Sequence, residues 1–234
     1  MNNIFSNNDH IKRFVEKDEG SDPVYSPMSP PDAYKPPTMN AVPYDELHPT
    51  LRHFVDEHKI IMERTEEFET ALIKMKREGI SREDNKILGE FFAFLDDTIV
   101  THNLKEERVL FPFVHDRMID NGEHGSGPIP DTAVDMLEND HIKIMELATL
   151  TFSLMGVASR ITDKTSHILL LDTALEQGLS LVELMRLHIF REDNVVFPLA
   201  HKYLTADDFD ETAKKMKKYF SIKLEEKKTP DKQD

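Results

Sequence analysis

Cysteine is absent from the 234 residues. That excludes disulfides, thiolate zinc sites, iron–sulfur ligation by the chain itself and any cysteine nucleophile. A transition metal would have to be held by imidazole and carboxylate, and eleven histidines are on hand. Positive charge is also short, since 29 basic residues against 44 acidic ones leave a net charge of −15. Such a surface repels nucleic-acid backbones and anionic lipids, so neither is expected as a partner. The opening MNNIFSNNDHIKRF lacks the apolar stretch of a signal peptide. No run approaches the ~20 apolar residues of a membrane span. A soluble, cytoplasmic protein is expected. Period-two alternation is missing too, so strands are not.

What is present is helical periodicity. Phe54, His58, Ile61, Thr65, Phe68, Leu72 and Met75 recur at spacings of three and four. So do Leu88, Phe91, Leu95, Ile99, His102, Glu106, Val109 and Phe113. A third stripe runs Val134, Leu137, His141, Ile144, Ala148, Thr151, Met155, and a fourth Leu181, Leu184, His188, Glu192, Val195, Leu199. Each marks one helix face. Turn chemistry at Gly79–Ser81, Asn121–Pro130 and Thr162–Ser166 separates them. Four long helices with short connections predict an all-α, antiparallel four-helix bundle.

The ends differ from the middle. Prolines crowd into SDPVYSPMSPPDAYKPPTMNAVP at residues 21–43, where they block helix and sheet ladders. Residues 1–44 are therefore expected to form a disordered tail and 45–204 the bundle. Residues 205–234 are expected to add a helix, with Met216, Phe220 and Leu224 on one stripe, and a basic tail. That helix is expected to pack across one end of the bundle.

Two halves of the bundle repeat. DEHKIIME (56–63) matches NDHIKIME (139–146) at an offset of 83, and HNLKEERVLFPFVH (102–115) matches HIFREDNVVFPLAH (188–201) at an offset of 86. Helices one and two are thus one hairpin, repeated as helices three and four about a pseudo-twofold axis. His102 with Glu106, and His188 with Glu192, are i,i+4 pairs only about 40° apart around a helix. Each presents an imidazole and a carboxylate to one point in the core. His58 and His141 add an imidazole each. A third such spacing, His53 with Glu57, has mostly polar face neighbours and Met136 as its repeat equivalent. It is set aside.

Burying two carboxylates without a cation costs several kcal/mol each. Two metal ions would remove that penalty. Imidazole and carboxylate without thiolate suit iron or manganese, and structural zinc is disfavoured. Two six-coordinate metals need about twelve ligand positions, of which four nitrogens and two bridging carboxylates fill about eight. An oxo or hydroxo bridge would fill two more, leaving roughly one open position per metal.

These residues resemble the hemerythrin-like, HHE cation-binding family. The ordered pattern is His58, His102-x₃-Glu106, His141, His188-x₃-Glu192, with Phe111–Pro112 and Phe197–Pro198 after the two pairs. It spans about residues 48–203. The resemblance implies a bundle around a non-haem centre of two iron ions that binds dioxygen, nitric oxide or peroxide. Oxygen-carrying hemerythrins have five histidines; four are found here. The four-His, two-Glu set is similar to the di-iron domain of iron–sulfur cluster repair proteins, whose cysteine-containing domain is missing. Three functions follow as alternatives: a module that binds oxygen or nitric oxide; an oxidase, peroxidase or nitric oxide reductase fed by an external electron donor; and iron donation or cluster repair. The oligomeric state is left open.

Other polar residues receive lesser expectations. His115 and His201 obey the repeat but lie about 220° around the helix from the ligand histidines. Glu107, Asp193, Glu57 and Asp140 flank the proposed ligands and are expected to be solvated helix-face charges, with orientation of a ligand histidine as the alternative. Glu63 and Glu146 should face away. His10, His48, His53, His124 and His167 are given no role.

Overall fold

The computed structural model describes residues 42–222, and these residues are helical throughout apart from turns and connections. The expected proline-rich tail falls almost wholly outside them, as do Leu224 and most of the basic end. A 3₁₀ turn, Tyr44–Glu46, leads into α1 (Pro49–Glu78). Pro49 suits the first helical position, where its missing N–H is not needed. The His48 ring accepts from Thr50 N at 3.2 Å, so His48, given no role from sequence, caps this helix. Gly79, at φ 85°, ends it.

The second rod, α2, runs over residues 82–120. It opens on a capping box between Ser81 and Asp84 and contains two π-helical turns, Leu95–Ile99 and Glu106–Leu110. Then follow α3 (Ala133–Ala158), α4 (residues 164–203, with a π turn at Glu192–Val196) and α5 (Ala206–Phe220). Pro112 and Pro198 each come just after a π turn. A proline inside a helix lacks its N–H and clashes with the carbonyl four residues earlier; a wider turn at that point relieves both problems.

Every neighbouring pair of the first four helices is antiparallel. Phe68 meets Phe91 and Glu57 meets His102 across α1 and α2. Glu69 meets Arg186 and His58 meets Asp193 across α1 and α4. Phe92 meets Phe152 and Glu107 meets His141 across α2 and α3. Between α3 and α4, Asp140 meets Arg191, while Gly178 lies against Thr151. Gly178 also faces α1, where a Cβ would fall 2.8 Å from Leu72 Cδ1.

The core has two apolar compartments. One gathers Leu51, Phe54, Phe111, Val114, Leu137 and Phe197, and α5 closes its end with Phe209 and Met216. Phe209 stacks on His48 at 3.8 Å, and Arg117 grips Asp208 through two bonds of 2.9 and 3.0 Å. The other holds Phe68, Leu72, Phe91, Leu175, Leu181 and Met185. A layer of polar side chains separates the two.

The helix α3 departs from simple amphipathicity. An 18-residue window in it averages a hydropathy of 1.2, a length and composition sufficient to cross a bilayer. It nonetheless contributes His141 to the buried polar layer and packs on α4. Its outer face leaves Ile142, Leu150, Phe152 and Val157 exposed.

Candidate metal centre

The polar layer consists of His58 on α1, His102 and Glu106 on α2, His141 on α3, and His188 and Glu192 on α4. All six are only 0–4% exposed, so water does not solvate them. The structure brings together every residue expected from the repeat. Ligand atoms of His58, His102, Glu106 and Glu192 lie within 4.8 Å of one another, and so do those of Glu106, His141, His188 and Glu192. Both glutamates belong to both groups.

Their oxygens are divided between the groups. Glu106 Oε1 is 3.3 Å from His102 Nε2, and its Oε2 is 3.4 Å from His141 Nε2. Glu192 places Oε2 3.1 Å from His58 Nε2 and Oε1 3.3 Å from His188 Nε2. Each glutamate begins a π turn. The α-helical turn before it sets the carboxylate on the face of its i−4 histidine, and the π turn after it leads into the helix that restarts at Phe-Pro. The phenylalanines serve the opposite hairpin: Phe197 stacks flat on His58 at 5.5 Å and Phe111 on His141 at 5.9 Å.

The far side of the rings is carboxylate. His58 Nδ1 meets Asp193 at 2.8 Å, His141 Nδ1 meets Glu107 at 2.8 Å, and His102 Nδ1 meets Glu57 at 2.9 Å. In the fourth case Asp140 stands 3.6 Å from His188 Nδ1 and is bound instead by Arg191 at 2.5 Å. These four acids were expected to be solvated face charges, with orientation of a ligand histidine as the alternative. They are partly exposed, but three of them orient a histidine from a neighbouring helix, and that cross-helix pairing is what a single-helix projection misses. Lys105, buried and bonded to Glu57, and Arg191 occupy repeat-equivalent positions and were not singled out from sequence. The detectable signal is that each directly precedes one of the two buried glutamates.

A carboxylate on Nδ1 fixes the proton there and turns the Nε2 lone pair inward. His58 and His102 then aim Nε2 at each other 3.1 Å apart, as do His141 and His188. Between them stand both oxygens of Glu106 and both of Glu192, buried and without a hydrogen-bond partner. Four orphaned carboxylate oxygens facing two converging nitrogen pairs repel one another unless protons or cations intervene. The donor set therefore fits two metal ions.

Electrostatics agrees. Burial favours the neutral ring of His58, but the carboxylates of Asp193 and Glu192 beside it outweigh burial and push its pKa up to about 10. The same contest, with Glu106 and Glu107 on the winning side, brings His141 to about 9. Burial also opposes ionisation of Glu106, yet His102 and His141 hold it well below the usual carboxylate range. A field that favours positive charge on these rings favours a multivalent cation among them.

His115 turns away from the layer, meeting Thr132 at 3.0 Å. Glu63 and Glu146 are exposed. His53 sits 3.4 Å from Glu57 outside the cluster.

Comparison with curated protein sequences finds no significant match. Among protein-family models, the hemerythrin HHE cation-binding domain matches residues 49–200, well over half of the 234 residues and inclusive of every residue of the polar layer. With the helical bundle and its His/Glu cluster in place, this match settles the assignment: the chain belongs to the hemerythrin HHE cation-binding domain family.

Proposed function

We propose that the chain is a non-haem di-iron protein that binds a small diatomic molecule, dioxygen or nitric oxide, for sensing, scavenging or stress response. His58 and His102 hold one iron, His141 and His188 hold the other, and Glu106 and Glu192 bridge them. The observation that carries this reading is the set of four partnerless buried carboxylate oxygens between two converging Nε2 pairs. Bound iron supplies a redox-active Lewis acid with room for a further ligand; manganese satisfies the same donors.

The chain's own groups do the rest. Asp193, Glu57 and Glu107 fix three rings in the tautomer that offers Nε2. Phe111 and Phe197 cover ring faces and exclude water. Lys105 and Arg191 neutralise two of the outer carboxylates. An oxidase or reductase would use the same ligands and differ by consuming ligand repeatedly when given an electron donor.

Glu106→Ala tests the bridge. It is expected to lose the two-metal centre and its absorption spectrum while remaining helical by circular dichroism. A variant that keeps about two irons per chain and an unchanged spectrum contradicts the bridging role.

A further inference from the structure

The pseudo-twofold axis relates the α1–α4 seam to the α2–α3 seam, yet the two seams differ. The α1–α4 seam is closed. Arg186 forms a two-pronged bond to Glu69 at 2.8 and 2.6 Å, and Gly178 lets Leu72 pack against the α4 backbone. Applying the repeat offsets, Glu69 corresponds to Phe152 and Arg186 to Val100. Those two cannot form an ion pair. Phe152 instead meets Phe92 edge-on at 5.1 Å, and α2 stands off from α3 over most of its length.

The gap is a groove of about 770 Å³ lined by Val100, Leu104, Met145 and Leu150 together with the buried His141 and the partly exposed Glu107 bonded to it. It reaches one half of the metal centre only. No lysine or arginine lines it, whereas Glu107 and Glu146 do. Both acids are already engaged, Glu146 by Lys143 and Glu107 by His141, so neither is free to draw in a cation; net charge −15 disfavours anions, and the apolar walls leave neutral, largely apolar molecules as the occupants that fit.

We propose that the open α2–α3 seam admits a small neutral molecule to the His141–His188 end of the centre, while the clamped α1–α4 seam closes the His58–His102 end. The inference rests on the di-iron reading for what the ligand meets, but the groove itself does not depend on it.

The test uses Thr149→Trp, an exposed groove position, and its repeat equivalent on the closed side, Glu66→Trp, also exposed. In the reduced, iron-loaded protein the rate of the absorbance change on mixing with nitric oxide is read by stopped flow, alongside iron content. Thr149→Trp is expected to slow it at least tenfold with iron retained, and Glu66→Trp to leave it within twofold. An unchanged rate in Thr149→Trp, or equal slowing in both, overturns the assignment. In the iron-free protein, the neutral dye Nile red is expected to bind the wild type and Glu66→Trp but not Thr149→Trp, and the anionic dye ANS to bind more weakly. Failure of Nile red to bind, or equal binding of ANS, overturns the neutral groove. Wild-type protein that ignores nitric oxide and dioxygen but binds Nile red as described contradicts the di-iron reading and leaves the groove standing.

Discussion

The carboxylates of Glu106 and Glu192 are buried without a hydrogen-bond partner, an arrangement that persists only where something neutralises it. Around them, Glu57, Asp193, Glu107 and Asp140 add four more carboxylates, with Lys105 bonded to Glu57 and Arg191 to Asp140. Lys105→Met should therefore cost the metal-free protein more stability than the metal-bound one. Without metal it removes Glu57's cation and should destabilise the fold by roughly 1–3 kcal/mol in denaturant titration. With metal bound most of that loss should be recovered, and the midpoint potential should fall, because added negative charge favours the more oxidised ions. Equal destabilisation with and without metal would show Lys105 to be purely structural. The six proposed ligands were legible in sequence because the repeat doubled a weak i,i+4 signal. Their outer partners were legible only as an alternative to solvated face charges, because each lies on a different helix from the ring it orients, and no projection of one helix contains the other.

Among the helices, the stripes of threes and fours located all four bundle members, and the antiparallel order followed from short connections. The π turns at Leu95–Ile99, Glu106–Leu110 and Glu192–Val196 were not legible. An extra residue in one turn leaves apolar spacing almost undisturbed; only the prolines six residues after Glu106 and Glu192 mark two of them. Gly178 was likewise silent, since its importance lies in the approach of Leu72 and Thr151 from two other helices. Gly178→Ala improves helix propensity but drives a methyl to 2.8 Å from Leu72 Cδ1. Overpacking should win, lowering stability by about 1–3 kcal/mol in thermal or chemical denaturation. A stabilised variant would mean that the α1–α4 seam is looser than drawn.

At the scale of the molecule, two apolar compartments sandwich a polar layer, and α5 closes the lower one. The ion pair that fastens α5 gives the assembly an acid limit. Its bonds to Arg117, more than any other contact, hold the Asp208 carboxyl at about 2. A carboxyl whose folded pKa is depressed stabilises the protein above its unfolded value, near 3.8, and that stabilisation is lost as pH falls toward 2. Asp208→Asn should lower stability at pH 7 by about 1–2 kcal/mol, through the lost ion pair and helix cap, and flatten the decline between pH 4 and 2. An unchanged decline would place the acid sensitivity elsewhere.

A centre for two irons fixes a stoichiometry, and metal analysis reads it. The chain is loaded with iron anaerobically, freed of excess, and assayed for iron, manganese and zinc, with absorption recorded before and after admitting air. About two irons per chain, with an oxo-bridge absorption appearing in air, is the expected result. Zinc alone, or no metal, persisting after that loading would contradict it.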